Sequence, residues 1–237
     1  MGIFDLDYAI RQFPEVLKAV PMTMLIAVVA MVLGCLLGSA IALIRIYKVP
    51  VLHRLAQLYV SFIRGTPILV QIYIIYFGLP DLVDLLHARW GFPLTSDYLP
   101  PLLVALLAFT INSAAYQSEV VRAGFQAIDY GQMEAAYSVG MTTPQALRRI
   151  ILHQALLVSL PNLGNIFLNL IKGTSLAFTV KVIEIMAAAK ISASEGYNYI
   201  EMYVDAALVY WIICFAIERL LAWLEKRLSR HERRLAV

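Results

Sequence analysis

Five apolar runs near residues 17–44, 55–79, 101–116, 156–171 and 203–221 constrain this chain more than any other feature. Each approaches the roughly 20 residues that a helix needs to cross about 30 Å of hydrocarbon. At 61% hydrophobic and 15% charged residues, the 237-residue chain has too little polar surface to cover a soluble globule. It reads as an integral membrane protein with five spans. The first run is expected to stay in the mature protein, because Asp5, Asp7 and Glu15 precede it where a secretory signal would be basic.

Lys and Arg in the connections set the orientation. With the N-terminus outside, twelve of these residues fall in cytoplasmic segments and five outside, which predicts N-out and C-in. The basic tail 226–234 follows the last span directly, where it meets anionic lipid headgroups rather than nucleic acid. Cys35 and Cys214 lie in separate spans and imply no disulfide framework.

Several spans carry more than hydrophobicity. Ala30, Gly34, Gly38 and Ala42 form a four-residue stripe suited to close helix packing. Arg64-Gly65-Thr66-Pro67 breaks the second run, predicting that a short helix ends at Gly65 and a new one starts at Pro67 behind a Thr66 cap. Residues 81–99 mix Asp, Pro, Gly and Trp90 without period and read as an outer loop. Asn112, Tyr116 and Glu119 share one face of the third span.

Residues 122–153 have a helical grammar of their own. Asp129 with Gln132 predicts a capping box opening a helix that carries Glu134-Ala135-Ala136; Gly140 suits the left-handed position that ends it, and Thr143 before Pro144 opens the next. In the fourth span Asn162, Asn165, Asn169 and Lys172 fall within an arc of about 80°. Pro161 predicts a kink, Gly173-Thr174-Ser175 a helix end, and 180–193 a short amphipathic helix with Lys181 and Glu184 at i, i+3. The last span reads as a plain hydrophobic helix whose Trp223 sits at the interface.

Enzyme signatures are missing. The sequence has no G-x-x-x-x-G-K-[ST] phosphate loop, and Leu235 stands where H-E-x-x-H would need its second histidine. Gly173-Thr174-Ser175-Leu176-Ala177 lacks the last glycine of a nucleophile elbow. No cofactor or metal site is expected. A self-contained secondary amino acid transporter is the alternative function, but that class wants inverted repeats and carboxylates deep in the spans.

Glu134-Ala135-Ala136, three residues, Gly140, nine residues and Ile150 resemble the signature loop of binding-protein-dependent ABC importer permeases. Arg64-Gly65-Thr66-Pro67, Tyr116, Glu119, Arg122-Ala123, Leu160-Pro161 with Gly164-Asn165, and Lys172-Gly173-Thr174-Ser175-Leu176 resemble the polar amino acid branch, and the likeness spans about residues 15–230. It implies an all-α membrane protein with the architecture of type I ABC importer permeases: one transmembrane domain over 1–237, with 122–153 as the cytoplasmic coupling loop. Glu134, Ala135, Ala136 and Gly140 would dock on a separate ATPase subunit. Further implied partners are an extracytoplasmic amino-acid-binding protein and a second permease copy or homologue, in the bacterial cytoplasmic membrane. The sequence around Met202-Tyr203 and Tyr210-Trp211 resembles cystine permeases most. Candidate substrate-pathway residues are Asn162, Asn165, Asn169, Lys172, Thr174, Ser175 and Glu184, the lysine meeting the substrate carboxylate and Glu184 its amino group. Two departures stand out: Leu152-His153 where the signature ends in Leu-Pro, and Gly173 where many relatives carry Asp, which disfavours a cationic side chain.

Overall fold

The computed structural model describes residues 4–233, with the backbone alone at Tyr98 and 229–233. The end of the basic tail, including Arg234 and the side chains of Arg230 and Arg233, lies outside the described residues. Among the described residues ten α-helices follow one another: α1 (Leu6–Lys18), α2 (Val20–Ile46), α3 (Leu52–Gly65), α4 (Ile68–Trp90), α5 (Pro101–Gln126), α6 (Gly131–Ser138), α7 (Thr143–Ala146), α8 (Leu152–Gly173), α9 (Ile185–Gly196) and α10 (Tyr199–Arg233). Five stretches of the described residues are long and apolar enough to cross a membrane, each overlapping one predicted run.

The break in the second run is real, shifted by one residue. Thr66 closes α3 in an extended conformation and Pro67 is the residue preceding α4. The Thr66 hydroxyl donates back to Phe62 O at 2.8 Å rather than capping α4. What makes the break tolerable inside the bundle is Gln71, buried at 4% exposure, whose Nε2 donates to Ile63 O at 2.8 Å and Thr66 O at 3.1 Å. Those carbonyls lose their helical partners at the break, and a side-chain amide replaces them.

The expected outer loop at 81–99 is mostly helix. α4 continues through Pro80 to Trp90, and Gly91 ends it at φ 64°. Asp84 accepts from Ser96 N at 2.8 Å and His87 Nδ1 pairs with Phe92 O at 2.6 Å, folding the remaining loop back on the helix. These polar groups serve the helix end, which is why they obscured its period.

The small-residue stripe works as spacing predicts. Ala30, Gly34, Gly38 and Ala42 are all buried, and a Cβ built on Gly38 falls 2.8 Å from Ala114 O and 3.0 Å from Ser118 N of α5. Backbone meets backbone at this seam, which only glycine permits. Around it Ile26, Ile72, Phe109, Leu170 and Ile171 form the main core. A second cluster unites Val16, Ile185, Ala189, Met202 and Val209, tying α1 and α9 to α10.

One element is unexpected and two further expectations are corrected. α1 is an amphipathic helix that the sequence reading did not foresee; Val16 is buried, and the Tyr8 hydroxyl donates to Ser192 O at 2.6 Å. Lys181 and Glu184 do not share a helix, because Lys181 is left-handed at φ 66° and α9 starts only at Ile185. α10 is not purely apolar, since Glu201 and Asp205 are buried at 5% and 4% exposure near its start.

Candidate functional site

The hairpin between α5 and α8 is built from turn chemistry. Gly140, at φ 78°, lets Met141 N donate to Ala136 O and Gly140 N to Tyr137 O, both at 3.0 Å, closing α6 with paired bonds. The start of α6 differs from expectation: Asp129 Oδ1 accepts from Gly131 N at 2.6 Å, and Gln132 reaches instead to Gln154 of α8 at 3.1 Å. Competition from that side-chain partner removes the predicted box. The next cap is Thr142, one residue earlier than predicted, whose N–H donates to Gln145 Oε1 at 2.9 Å. From Thr143 the helix runs through a π-turn at Leu147–Ile151 straight into α8, so Leu152-His153 makes no break. On the hairpin surface Glu134, Ala135 and Gly140 are exposed beside Tyr130, Tyr137 and Val139, while Ala136 faces inward.

At the base of the hairpin Glu119 gathers three arginines. Arg45 Nη1 donates to its Oε1 at 2.6 Å, Arg122 Nη2 to its Oε2 at 2.6 Å, and Arg64 Nη1 lies 3.7 Å away. Arg64 also rests over the Tyr116 ring at 5.7 Å. One carboxylate thereby fixes α2, the end of α3 and α5 together.

Between the α3–α4 break, the middle of α5 and the end of α8 lies a cavity of about 380 Å³. Thr66, Asn112, Tyr116, Asn169 and Gly173 supply its distinctive walls, and among the described residues no charged side chain lines it. Asn112 is held there by donating to Gln71 Oε1 at 2.9 Å.

The predicted pathway residues separate into two groups. Asn162, Asn165, Asn169 and Lys172 lie exposed along one face of α8, and Asn169 also lines the cavity. Thr174 is buried and donates to Ile171 O at 2.7 Å, while Ser175 donates to Lys172 O at 2.9 Å. Glu184 is fully buried as the N-cap of α9, accepting from Met186 N, Ala187 N and the Tyr210 hydroxyl at 2.9, 2.8 and 2.6 Å. Burial pushes its carboxyl above the ordinary range, against the lowering by those hydrogen bonds. Gln71 and the cavity role of Thr66 escaped sequence reasoning; the available signal was a lone amide in an apolar run four residues past a proline break.

Residues 30–230 match the family described as binding-protein-dependent transport system inner membrane component. The chain belongs to this family of ABC importer permeases. It is 42% identical over 227 residues to a probable amino-acid ABC transporter permease, PatM of Vibrio harveyi, covering 96% of this chain and 97% of the relative. It is 34% identical to the L-cystine transport system permease TcyL of Bacillus subtilis, covering 98% and 95%. Among solved structures, an amino acid ABC transporter crystallised with histidines aligns with a TM-score of 0.81 at 33% identity, covering 96% of this permease and all of that chain. The permease is a multi-pass protein of the bacterial inner membrane.

Proposed function

We propose that this permease carries a polar amino acid whose side chain has no net charge, cystine among the candidates, inward through the bundle. The observation that carries this is the uncharged, amide-lined cavity in mid-bundle, which Asn169 joins to the exposed polar face of α8. Gly173 forms part of its wall where a side chain would narrow the space, a Cβ there lying 3.7 Å from Phe109 Cε1. The names of the amino-acid and cystine permeases among its relatives support the same substrate class.

Asn162, Asn165, Asn169 and Lys172 then face the path, with Lys172 and the Ser175 hydroxyl available to a substrate carboxylate. Thr174 and Glu184 hold the ends of α8 and α9 around it. The open face of α8 asks for a second permease copy or homologue to complete the passage. Exposed Glu134, Ala135 and the Gly140 turn offer a docking surface to an ATPase subunit that hydrolyses ATP; on this reading 122–153 lies in the cytoplasm, with the N-terminus outside and the C-terminus inside. An extracytoplasmic binding protein delivers substrate at the opposite end.

Proteoliposomes holding the permease with its ATPase and binding protein test this. They should accumulate a neutral polar amino acid only when ATP is supplied at the ATPase side. Gly173→Leu, which fills the cavity, should abolish uptake while the ATPase still co-purifies. Uptake by the permease alone on a proton or sodium gradient would sink the importer assignment, and normal uptake through Gly173→Leu would sink the cavity as the route.

A further inference from the structure

At the end of the bundle that carries the 127–151 hairpin, a second cavity of about 910 Å³ opens between the α2–α3 turn and the hairpin; its walls include Arg45, Lys48, His53, Arg122 and Asp129. Charge here does not balance. Glu119 is shared by Arg45 and Arg122 and approached by Arg64, Asp129 Oδ1 is taken by Gly131 N, and Lys48 has no carboxylate within 4.0 Å among the described residues. Among the described residues the cavity wall itself carries three cations, Arg45, Lys48 and Arg122, and one carboxylate, Asp129. The Arg45 side chain is only 12% exposed, yet its Nε is buried with no acceptor, and His53 Nδ1 is buried without a partner as well. Buried donors are nearly always satisfied, and a guanidinium N–H that is not leaves room for an anionic acceptor.

The turn holding Lys48 at this cavity is strained. Lys48 sits at φ 50°, and Val51 at φ 64°, ψ −56°, with Leu52 N donating to Pro50 O at 2.7 Å, a γ-turn of the rare positive-φ kind. A β-branched residue in that region is an outlier, and such strain collects at ligand clamps. Beside the turn, Tyr47, Leu52, Leu55 and Leu58 present exposed apolar surface, the flank an acyl chain would cover.

We infer that this cleft binds the phosphate of an anionic phospholipid headgroup, with Arg45, Lys48 and Arg122 as its partners and the acyl chains lying along α3. That the leaflet is the cytoplasmic one rests on the orientation proposed above; the headgroup site itself does not. A lipid bound here bridges the α2–α3 turn to Asp129 and Tyr130 at the root of the hairpin, so bilayer composition reaches the element proposed to meet the ATPase.

The full-length permease, extracted from phosphatidylcholine vesicles containing phosphatidylglycerol, should retain phosphatidylglycerol in native mass spectrometry. Lys48→Gln, exposed and outside the ion cluster, should lower that retention about fivefold. His53→Leu, which removes a polar wall group outside the three proposed partners, should lower it less. Equal retention by the wild type and Lys48→Gln would overturn the site. Displacement of the lipid by inorganic phosphate with the same Lys48 dependence would keep the anion site and overturn its lipid source. Release of the lipid when the ATPase subunit is added would overturn the proposal and give the cleft to that subunit. All of these readouts are independent of transport, so they stand apart from the fate of the cavity assignment.

Discussion

Helices α5 and α8 both carry polar side chains through mid-span, and they dispose of them in opposite ways. On α5, Ser113, Gln117 and Ser118 are buried; Gln117 donates to Ser113 Oγ and to Met31 O of α2, and Ser118 to Ala115 O. On α8 the asparagines and Lys172 stand exposed. The most apolar part of α5 is 61% buried within this chain, against 22% for that of the helical stretch Thr143–Val180 that contains α8, so α5 is the axis of a finished bundle and α8 one wall of an unfinished one. The difference teaches that polarity in a span is ambiguous by itself. Enclosed by neighbours it specifies packing; left open it marks a surface that water, substrate or another subunit must cover.

The seam against α5 is where the largest effect is expected. Gly38→Val sets a branched side chain against Ala114 O and Ser118 N, backbone atoms that cannot swing away. Overpacking of this kind costs about 1–3 kcal/mol, and more where backbone must shift. Size-exclusion chromatography should show loss of monodisperse permease. A Gly38→Val protein as stable as wild type would erase the contrast between the two helices.

Gln71→Leu attacks the same half of the comparison more gently. It keeps the apolar volume but strips donors from Ile63 O and Thr66 O. Each carbonyl left unpaired costs about 1–3 kcal/mol. The melting temperature should fall by several degrees, with uptake falling too as Asn112 loses its anchor. An unchanged melting temperature would mean that another donor reaches the break.

How much of this was legible in the sequence follows from the range over which each signal acts. The Arg64 to Pro67 break, the stripe from Ala30 to Ala42 and the Gly140 turn were readable because sterics of neighbouring or helically spaced residues decide them. The Asp129 box failed because Gln132 has a partner on α8, 22 residues away. Glu119 lay on a recognised polar face, but its partner Arg45 stands 74 residues away, and no local pattern links them. Glu184 reads in the sequence as a helical neighbour of Lys181 and a partner for the substrate amino group; only the fold turns it into a cap locked by Tyr210. The cavity is assembled from the α3–α4 break, α5 and α8, so although Thr66, Asn112, Tyr116, Asn169 and Gly173 each stand out in the sequence, no local pattern brings them together.

On the α8 side, Asn165→Leu should separate function from fold. The residue is exposed, so stability should stay within about 0.5 kcal/mol of wild type. Uptake in proteoliposomes should drop several-fold as one step of the polar face disappears. A marked loss of stability instead would mean that α8, like α5, uses its amides for packing inside one chain.

The smallest effect is expected at Lys172. It lies at the end of the exposed arc, one residue before the glycine in the cavity wall, and its carbonyl already holds the Ser175 hydroxyl. An ammonium in this position either snorkels to the surface or meets the carboxylate that every free amino acid presents. Lys172→Met keeps the length and the apolar stem, so folding and assembly with the ATPase should be unchanged. If the ammonium meets substrate, the half-saturation concentration for uptake should rise by up to about fivefold, the worth of an exposed ion pair near 1 kcal/mol. That rise should shrink as salt is raised, since screening weakens the same attraction in the wild type. A half-saturation concentration equal to that of wild type at low salt would assign the lysine to the lipid surface. The path would then rest on the asparagine amides alone.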